Sequence, residues 1–423
     1  MTSETNAELF DRAKKVLPGG VNSPVRSFRS VGGIPYFVAR GEGSRVFDEE
    51  GRSYLDYVQS YGASILGHAD PVTVAAVRDA AGRGTTYGAP TRSEIELAEI
   101  MCDWVPGLEM IRMTSSGTEA VMSAVRVARG MTGRDKVVKF AGCYHGSVDA
   151  LLAAGGSGVA NQGLSGSAGV PASAVADTVV APYNVVPTLD DDTAVLVVEP
   201  IAANMGLVEP EPGFLAACRA ECDRVGALLL FDEVITGFRI GRAGATTWSG
   251  VAPDLWAFGK VIGGGLPVGA FGGSSELMHH VAPLGPVYQG GTLSGNPLAT
   301  AAGRAVLGQL DDDRYAALTT TATTLADGMA AAFAAAGVAA QVPRVGPLLA
   351  VYFTGESVRN YDDAQAAADN GRYTTFFHAM LERGVALAPG AYEAIFPSLA
   401  HTEADIAETL EVVAEAAAVV AAT

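Results

Sequence analysis

Between about residues 67 and 297, apolar runs of strand length alternate with stretches of helical periodicity, and no other feature narrows the fold so far. The strand candidates are 110–113, 136–140, 178–181, 194–198, 227–231 and 270–272. Several are near-continuous Val, Ile and Leu, as expected where both faces of a strand are covered. That is the condition of a mostly parallel sheet wrapped by helices on both sides, an α/β fold. In such sheets ligands collect beyond the carboxyl ends of the strands, so the residues that follow each run are the first candidates for chemistry.

The flanks read differently. Residues 1–66 carry short strand-like pieces at 36–39 and 45–47, broken by Gly and Pro, which predicts an N-terminal arm with a small sheet. From 299 to 423 the chain opens with Ala-rich helical patterns, 330–340 among them. It then passes strand candidates at 348–353 and 385–388 and closes on a helix from Glu403, which predicts a smaller α+β domain. With 423 residues, two or three packed subdomains are expected, the large one spanning 67–298.

A formal net charge of −18 argues against nucleic acid or an anionic membrane as partner. A small anionic ligand would need a local positive site. No run approaches the ~18 strongly apolar residues of a bilayer span. The opening MTSETNAELFDRAKK carries acids and no apolar core, so neither a secretory signal nor a transit peptide fits, and a cytoplasmic location is expected. Cys102, Cys143, Cys218 and Cys222 show no C-x-x-C spacing and read as buried thiols, the last two on one helical face.

Four local patterns carry chemistry. In MIRMTSSGTEA, residues Ser115, Ser116, Gly117 and Thr118 stand between a strand and a helix beginning near Glu119. A turn of small residues there aims N–H groups and hydroxyls at an anion, although Ser-Gly-Thr is equally an ordinary N-cap. No Walker lysine and no G-x-G-x-x-G fingerprint accompanies it. In ALLLFDEV a buried strand ends on Asp232 and Glu233. A carboxylate there faces a cationic ring nitrogen or a metal, or else caps a helix; with no histidine cluster nearby, a metal is the poorer choice.

Lys260, one of few lysines, emerges from the apolar DLWAFGK into Gly263, Gly264 and Gly265, and desolvation of such an amine makes it nucleophilic. Tyr144 and His145, in AGCYHGS, follow another strand and offer an aromatic face or simply fill the core. Together, phosphate cradle, anionic strand end, aromatic platform and glycine-flanked amine meet the needs of pyridoxal 5'-phosphate.

On these residues the chain resembles the fold-type I pyridoxal-phosphate enzymes, and among them the glutamate-1-semialdehyde 2,1-aminomutase family. The segments are GGVNSPVR (19–26), TSSGTEA (114–120), EPIAANMGLV (199–208), LLFDEVITGFR (229–239), GKVIGGGLPVGAFGG (259–273) and GGTLSGNP (290–297). The lysine and aspartate segments are shared with many aminotransferases. The early VNSPVR together with the late LAPGAYEAIFPSLAHTEADI selects the mutases.

The resemblance implies Lys260 as the catalytic lysine and Ser116, Gly117 and Thr118 on the phosphate. It puts Tyr144 on the ring, with His145 beside it, Asn204 at the ring hydroxyl, Asp232 at the ring nitrogen and Val234 on the opposite face. Thr292 would complete the phosphate site of a neighbouring subunit in a homodimer. Ser23, Arg26, Ser157 and Glu393 would serve a small-molecule substrate, with Arg26 suited to grip a carboxylate. The implied reaction moves an amino group within one five-carbon skeleton, using the pyridoxamine 5'-phosphate form and no outside amino donor. An ω-aminotransferase with a separate keto-acid acceptor is the alternative, and an upstream reductase is a possible transient partner. Ser147 stands where the family would have histidine and Ala203 where it would have glycine. The Gly- and Ser-rich stretch 155–169 resembles the family's lid, or is a plain surface loop.

Overall fold

The computed structural model describes residues 4–153 and 167–423. Thirteen strands occur among them: β1 (Val38–Glu42), β2 (Arg45–Asp48), β3 (Ser53–Asp56), β4 (Met110–Thr114), β5 (Lys136–Phe140), β6 (Thr178–Ala181), β7 (Thr193–Val198), β8 (Leu228–Asp232), β9 (Leu255–Phe258), β10 (Gly269–Gly273), β11 (Arg344–Val345), β12 (Leu348–Leu349) and β13 (Val385–Ala386). Seven form the main sheet in the order β4-β10-β9-β8-β7-β5-β6. Every strand in it runs parallel except β10, which is antiparallel to both neighbours.

Why β7 and β8 sit at the centre follows from their side chains. All of β7 is buried. Leu196, Val198, Leu229 and Phe231 pack on one face with Phe214, Cys218 and Cys222 of the helix Phe214–Val225. The alternate residues Val195, Val197 and Leu230 pack on the other with Ala120, Ala124 and Val127 of the helix Gly117–Thr132. Period two therefore serves two cores at once, each buried large side chain contributing ~1.5–3 kcal/mol. Val197→Asp would put an unpaired charge between sheet and helix and unfold this layer.

β1-β2-β3-β13 form a second sheet, in which β13 pairs in parallel with β3. The beginning and end of the chain thus share one sheet and one core, where Phe28, Leu55 and Tyr57 meet Phe376, Val385 and Val413. The expected strand at 348–353 is shorter than its apolar run, because only Leu348 and Leu349 pair in a ladder. The helix expected over 330–340 ends at Ala335, before Gly337 turns the chain at φ 71°. β9 was not among the expected strands. All four cysteines are free; three are buried and Cys102 is half-buried.

Candidate active site

The carboxyl ends of β5, β7 and β8, the turn after β4 and the segment after β9 open into one cavity of about 220 Å³. Ser116, Gly117, Thr118, Tyr144, His145, Asn204, Asp232, Val234 and Lys260 all line it. A larger cavity of about 550 Å³ lies away from every strand end, against the helices Pro71–Arg83, Arg92–Trp104 and Pro297–Leu307. It lacks an amine facing a carboxylate, so the smaller one is the candidate site.

Ser116 is the N-cap of the helix Gly117–Thr132, its Oγ accepting from Glu119 N at 3.2 Å. Capping and anion binding coexist here, since the N–H groups of Gly117 and Thr118 have no intrahelical acceptor and the helix dipole adds to their pull. Two glycines shape the wall: a Cβ on Gly117 would come within 2.9 Å of Val234, and one on Gly269 within 2.2 Å of the Ser116 carbonyl. The first keeps Val234 close beneath the helix end. The second lets antiparallel β10 lie against the turn.

The two neighbouring acids of β8 have separate duties. Asp232 Oδ2 takes a hydrogen bond from His145 Nδ1 at 2.7 Å and Oδ1 one from Val234 N at 3.1 Å. Burial holds the His145 imidazole below its usual pKa, with Asp232 opposing, and its Nε2 is buried without a hydrogen-bond partner. His145 thus braces the aspartate, whereas Tyr144 lines the cavity with its ring and bonds the Ser147 hydroxyl. Glu233 points away and accepts from Ala245 N and Thr236 Oγ1, both at 2.8 Å, capping the helix Gly244–Ser249. Burial pushes its carboxyl up to about 7.

Lys260 sits at φ 49°, a left-handed conformation unusual for a side-chain-bearing residue. What surface it keeps opens onto the cavity, and enclosure otherwise pulls its amine down to about 8, while Glu393, Glu199 and Asp232 pull the other way. Glu199, just past β7, was not singled out from sequence. Its Oε1 accepts from Tyr144 N (2.6 Å) and Asn204 Nδ2 (2.9 Å), and its Oε2 from Ala203 N (2.9 Å). One buried carboxylate thereby fixes the aromatic platform and the Asn204 amide together. Burial raises it to about 7, with Asp232 adding to the effect.

The substrate-side candidates are less gathered. Arg26 is exposed and lines a neighbouring cavity of about 470 Å³ with Tyr61, Asp56 and His68. Tyr61, which no sequence pattern pointed to, shares that cavity with Arg26; burial raises its phenol most, Glu393 adds to the rise and Arg26 opposes it. A run of three left-handed residues, Gln59, Ser60 and Tyr61, presents it. Asp56 accepts from Val58 N at 2.8 Å and Gln59 N at 3.2 Å where that turn begins. Ser23 is half-buried and lines neither cavity. Thr292 is exposed and outside the cavity lining. Ser157 and most of the stretch 155–169 lie outside the described residues.

These residues fit pyridoxal phosphate. One enclosed space offers an amine, a braced carboxylate with lone pairs to spare, a helix N-terminus and an aromatic ring facing Val234.

A model of the family described as aminotransferase class-III matches residues 27–417. The chain belongs to the class-III aminotransferases. It is 51% identical over 424 residues to a glutamate-1-semialdehyde 2,1-aminomutase of Syntrophus aciditrophicus (strain SB), with 98% of each chain covered. It is also 49% identical to glutamate-1-semialdehyde 2,1-aminomutase 2 of Brevibacillus brevis, covering 97% of each. Among solved structures, an omega-transaminase from Sphaerobacter thermophilus superposes with TM-score 0.87 at 33% identity, over 98% of this chain and 97% of that one. A glutamate-1-semialdehyde-aminomutase from Pseudomonas aeruginosa PAO1 in complex with PMP superposes at 0.86 with 27% identity, over 97% and 93%. The fold does not separate mutase from transaminase; the curated relatives at 49–51% identity over nearly the whole chain are aminomutases.

Proposed function

We propose that this chain is a pyridoxal-phosphate-dependent isomerase that converts glutamate 1-semialdehyde to 5-aminolevulinate, the precursor of tetrapyrroles. The observation that carries the choice is identity of 49–51% with curated aminomutases over 97–98% of both chains. When bound, the cofactor supplies an electron sink and a carrier for the amino group.

The protein's own residues do the rest. The N–H groups of Gly117 and Thr118, with Ser116, would hold the phosphate. Asp232, braced by His145, would keep the ring nitrogen protonated. Tyr144 and Val234 would bind the ring, with the Asn204 amide, fixed by Glu199, serving its hydroxyl. Lys260 Nζ, with its pKa drawn down to about 8, takes a proton from one carbon and returns it to another near neutral pH. Arg26 takes the substrate carboxylate, with Ser23, Ser157 and Glu393 completing the substrate side and Tyr61 sharing a cavity with Arg26.

The active unit is a cytoplasmic homodimer in which Thr292 reaches the partner's phosphate. Its exposure beside exposed Leu293 and Tyr288 supports that reading. No helix among the described residues is long and apolar enough to cross a membrane.

Steady-state turnover of the semialdehyde without any keto acid tests the assignment. Continued production of 5-aminolevulinate supports the mutase, and a stop after one equivalent supports the omega-transaminase.

A further inference from the structure

Only five lysines occur in this chain, Lys14, Lys15, Lys136, Lys139 and Lys260; Lys139 is buried and Lys260 half-buried, both at the carboxyl ends of main-sheet strands. Lys260 belongs to the cleft. Lys139, in β5, is completely buried and has no carboxylate among its hydrogen-bond partners. Its ammonium instead donates to three backbone carbonyls, those of Cys143, Leu151 and Ala153, each at 3.1 Å. Three donors meet three acceptors, the arrangement of a small cation in an oxygen cage rather than of an ion pair.

The position of that cage matters. The three carbonyls lie at the two ends of the loop 143–153, and one ammonium satisfies them together. Cys143 directly precedes Tyr144, whose N–H donates to Glu199, and His145, whose ring braces Asp232. Burial draws the Lys139 amine down to about 8, while Cys143, Glu199 and Asp232 act in the opposite direction.

We propose that Lys139 is a positioning residue, an immobilised ammonium ion that ties together the carbonyls of Cys143, Leu151 and Ala153 and so holds Tyr144 and His145 where they serve the cofactor. The role rests on the reading of the cleft given above; the tie itself does not.

The test uses the full chain without cofactor. In Lys139→Ala, amide hydrogen exchange of peptides covering 141–153 is expected to accelerate on the order of tenfold or more relative to the wild type, with the helix Glu403–Ala421 unchanged. Methylammonium, which brings back the three donors, is expected to restore protection; tetramethylammonium, which has none, is not. Pyridoxal phosphate added afterwards is expected to bind on the order of tenfold more weakly by absorbance and induced circular dichroism, again restored by methylammonium. Unchanged exchange in 141–153, or acceleration that methylammonium leaves untouched, overturns the proposal.

A second arm needs no variant. Acetic anhydride on the native wild type is expected to modify Lys14 and Lys15 while sparing Lys139 with or without cofactor. Modification of Lys139 at the rate of Lys14 overturns the tie. Lys260 is expected to be shielded only when cofactor is bound; failure of that shielding alone counts against the cofactor reading and leaves Lys139 where it stands.

Discussion

On the floor of the cleft, each polar side chain is held by another: Asp232 by His145, Asn204 and the Tyr144 backbone by Glu199. On its rim, Arg26 is exposed, Ser23 lines neither of the two neighbouring cavities, and Tyr61 is presented by a left-handed turn outside the main sheet. The floor is built on strand ends whose spacing the sheet dictates, and the rim on loops from the first and last parts of the chain. A preorganised floor suits a chemistry shared by a whole family, whereas an adjustable rim suits the choice of substrate. The two solved relatives make the same point, one a transaminase and one a mutase on nearly one backbone.

The contrast is broken most directly at Lys260. Lys260→Ala is expected to lower turnover on the order of 10⁴-fold, read by 5-aminolevulinate formation, with no borohydride-stable label in the peptide around position 260. Asp232→Ala, removing the braced charge, is expected to lower kcat by ~10²–10³-fold. If either variant turned over at the normal rate, the floor would not be where the chemistry happens.

At the rim the effect should be smaller and of another kind. Arg26→Ala is expected to raise KM roughly 10–100-fold, the worth of one charge-assisted contact, with kcat little changed. An equal fall in kcat would move Arg26 from the rim to the floor.

The smallest effect concerns Glu233, which touches neither. A carboxyl whose pKa is raised on folding keeps its proton until about pH 7, while the unfolded chain loses it near the ordinary glutamate value of 4.5. The folded state then binds more protons in that window, so stability falls as pH rises through it and levels off above. Glu199 contributes in the same direction. Glu233→Gln should flatten part of the decline in melting midpoint of the cofactor-free protein between pH 5 and 7, with turnover changed less than about threefold.

The difference between floor and rim is also a difference in what can be read from residues. The apolar run 194–198 matches the fully buried strand Thr193–Val198 to within one residue, because a strand covered on both faces has to be continuously apolar. Lys260 and Asp232 are legible because polar groups at the end of such a run need a reason. The strand Leu255–Phe258 hid inside the stretch that pointed to the lysine, being only four residues long. Asp232 and Glu233 are indistinguishable locally, and only the helix at Gly244–Ser249 decides which one caps. Glu199 reads as a strand-edge acid until the loops of Tyr144 and Asn204 close on it. Lys139 alternates with Val and Phe like a solvent-facing residue. Tyr61 depends on a backbone turn made without glycine at its three left-handed positions, for which no local signal exists.

The single antiparallel strand carries a consequence for biosynthesis. β4, which delivers the phosphate turn, pairs only with β10, and Lys260 lies just ahead of β10. A ribosome must therefore add roughly 155 residues after the first half of the cradle before the second half can zip against it. Until then β9 has an open edge and the turn after β4 has no strand to lie against, so the wall of the cavity is completed late in synthesis.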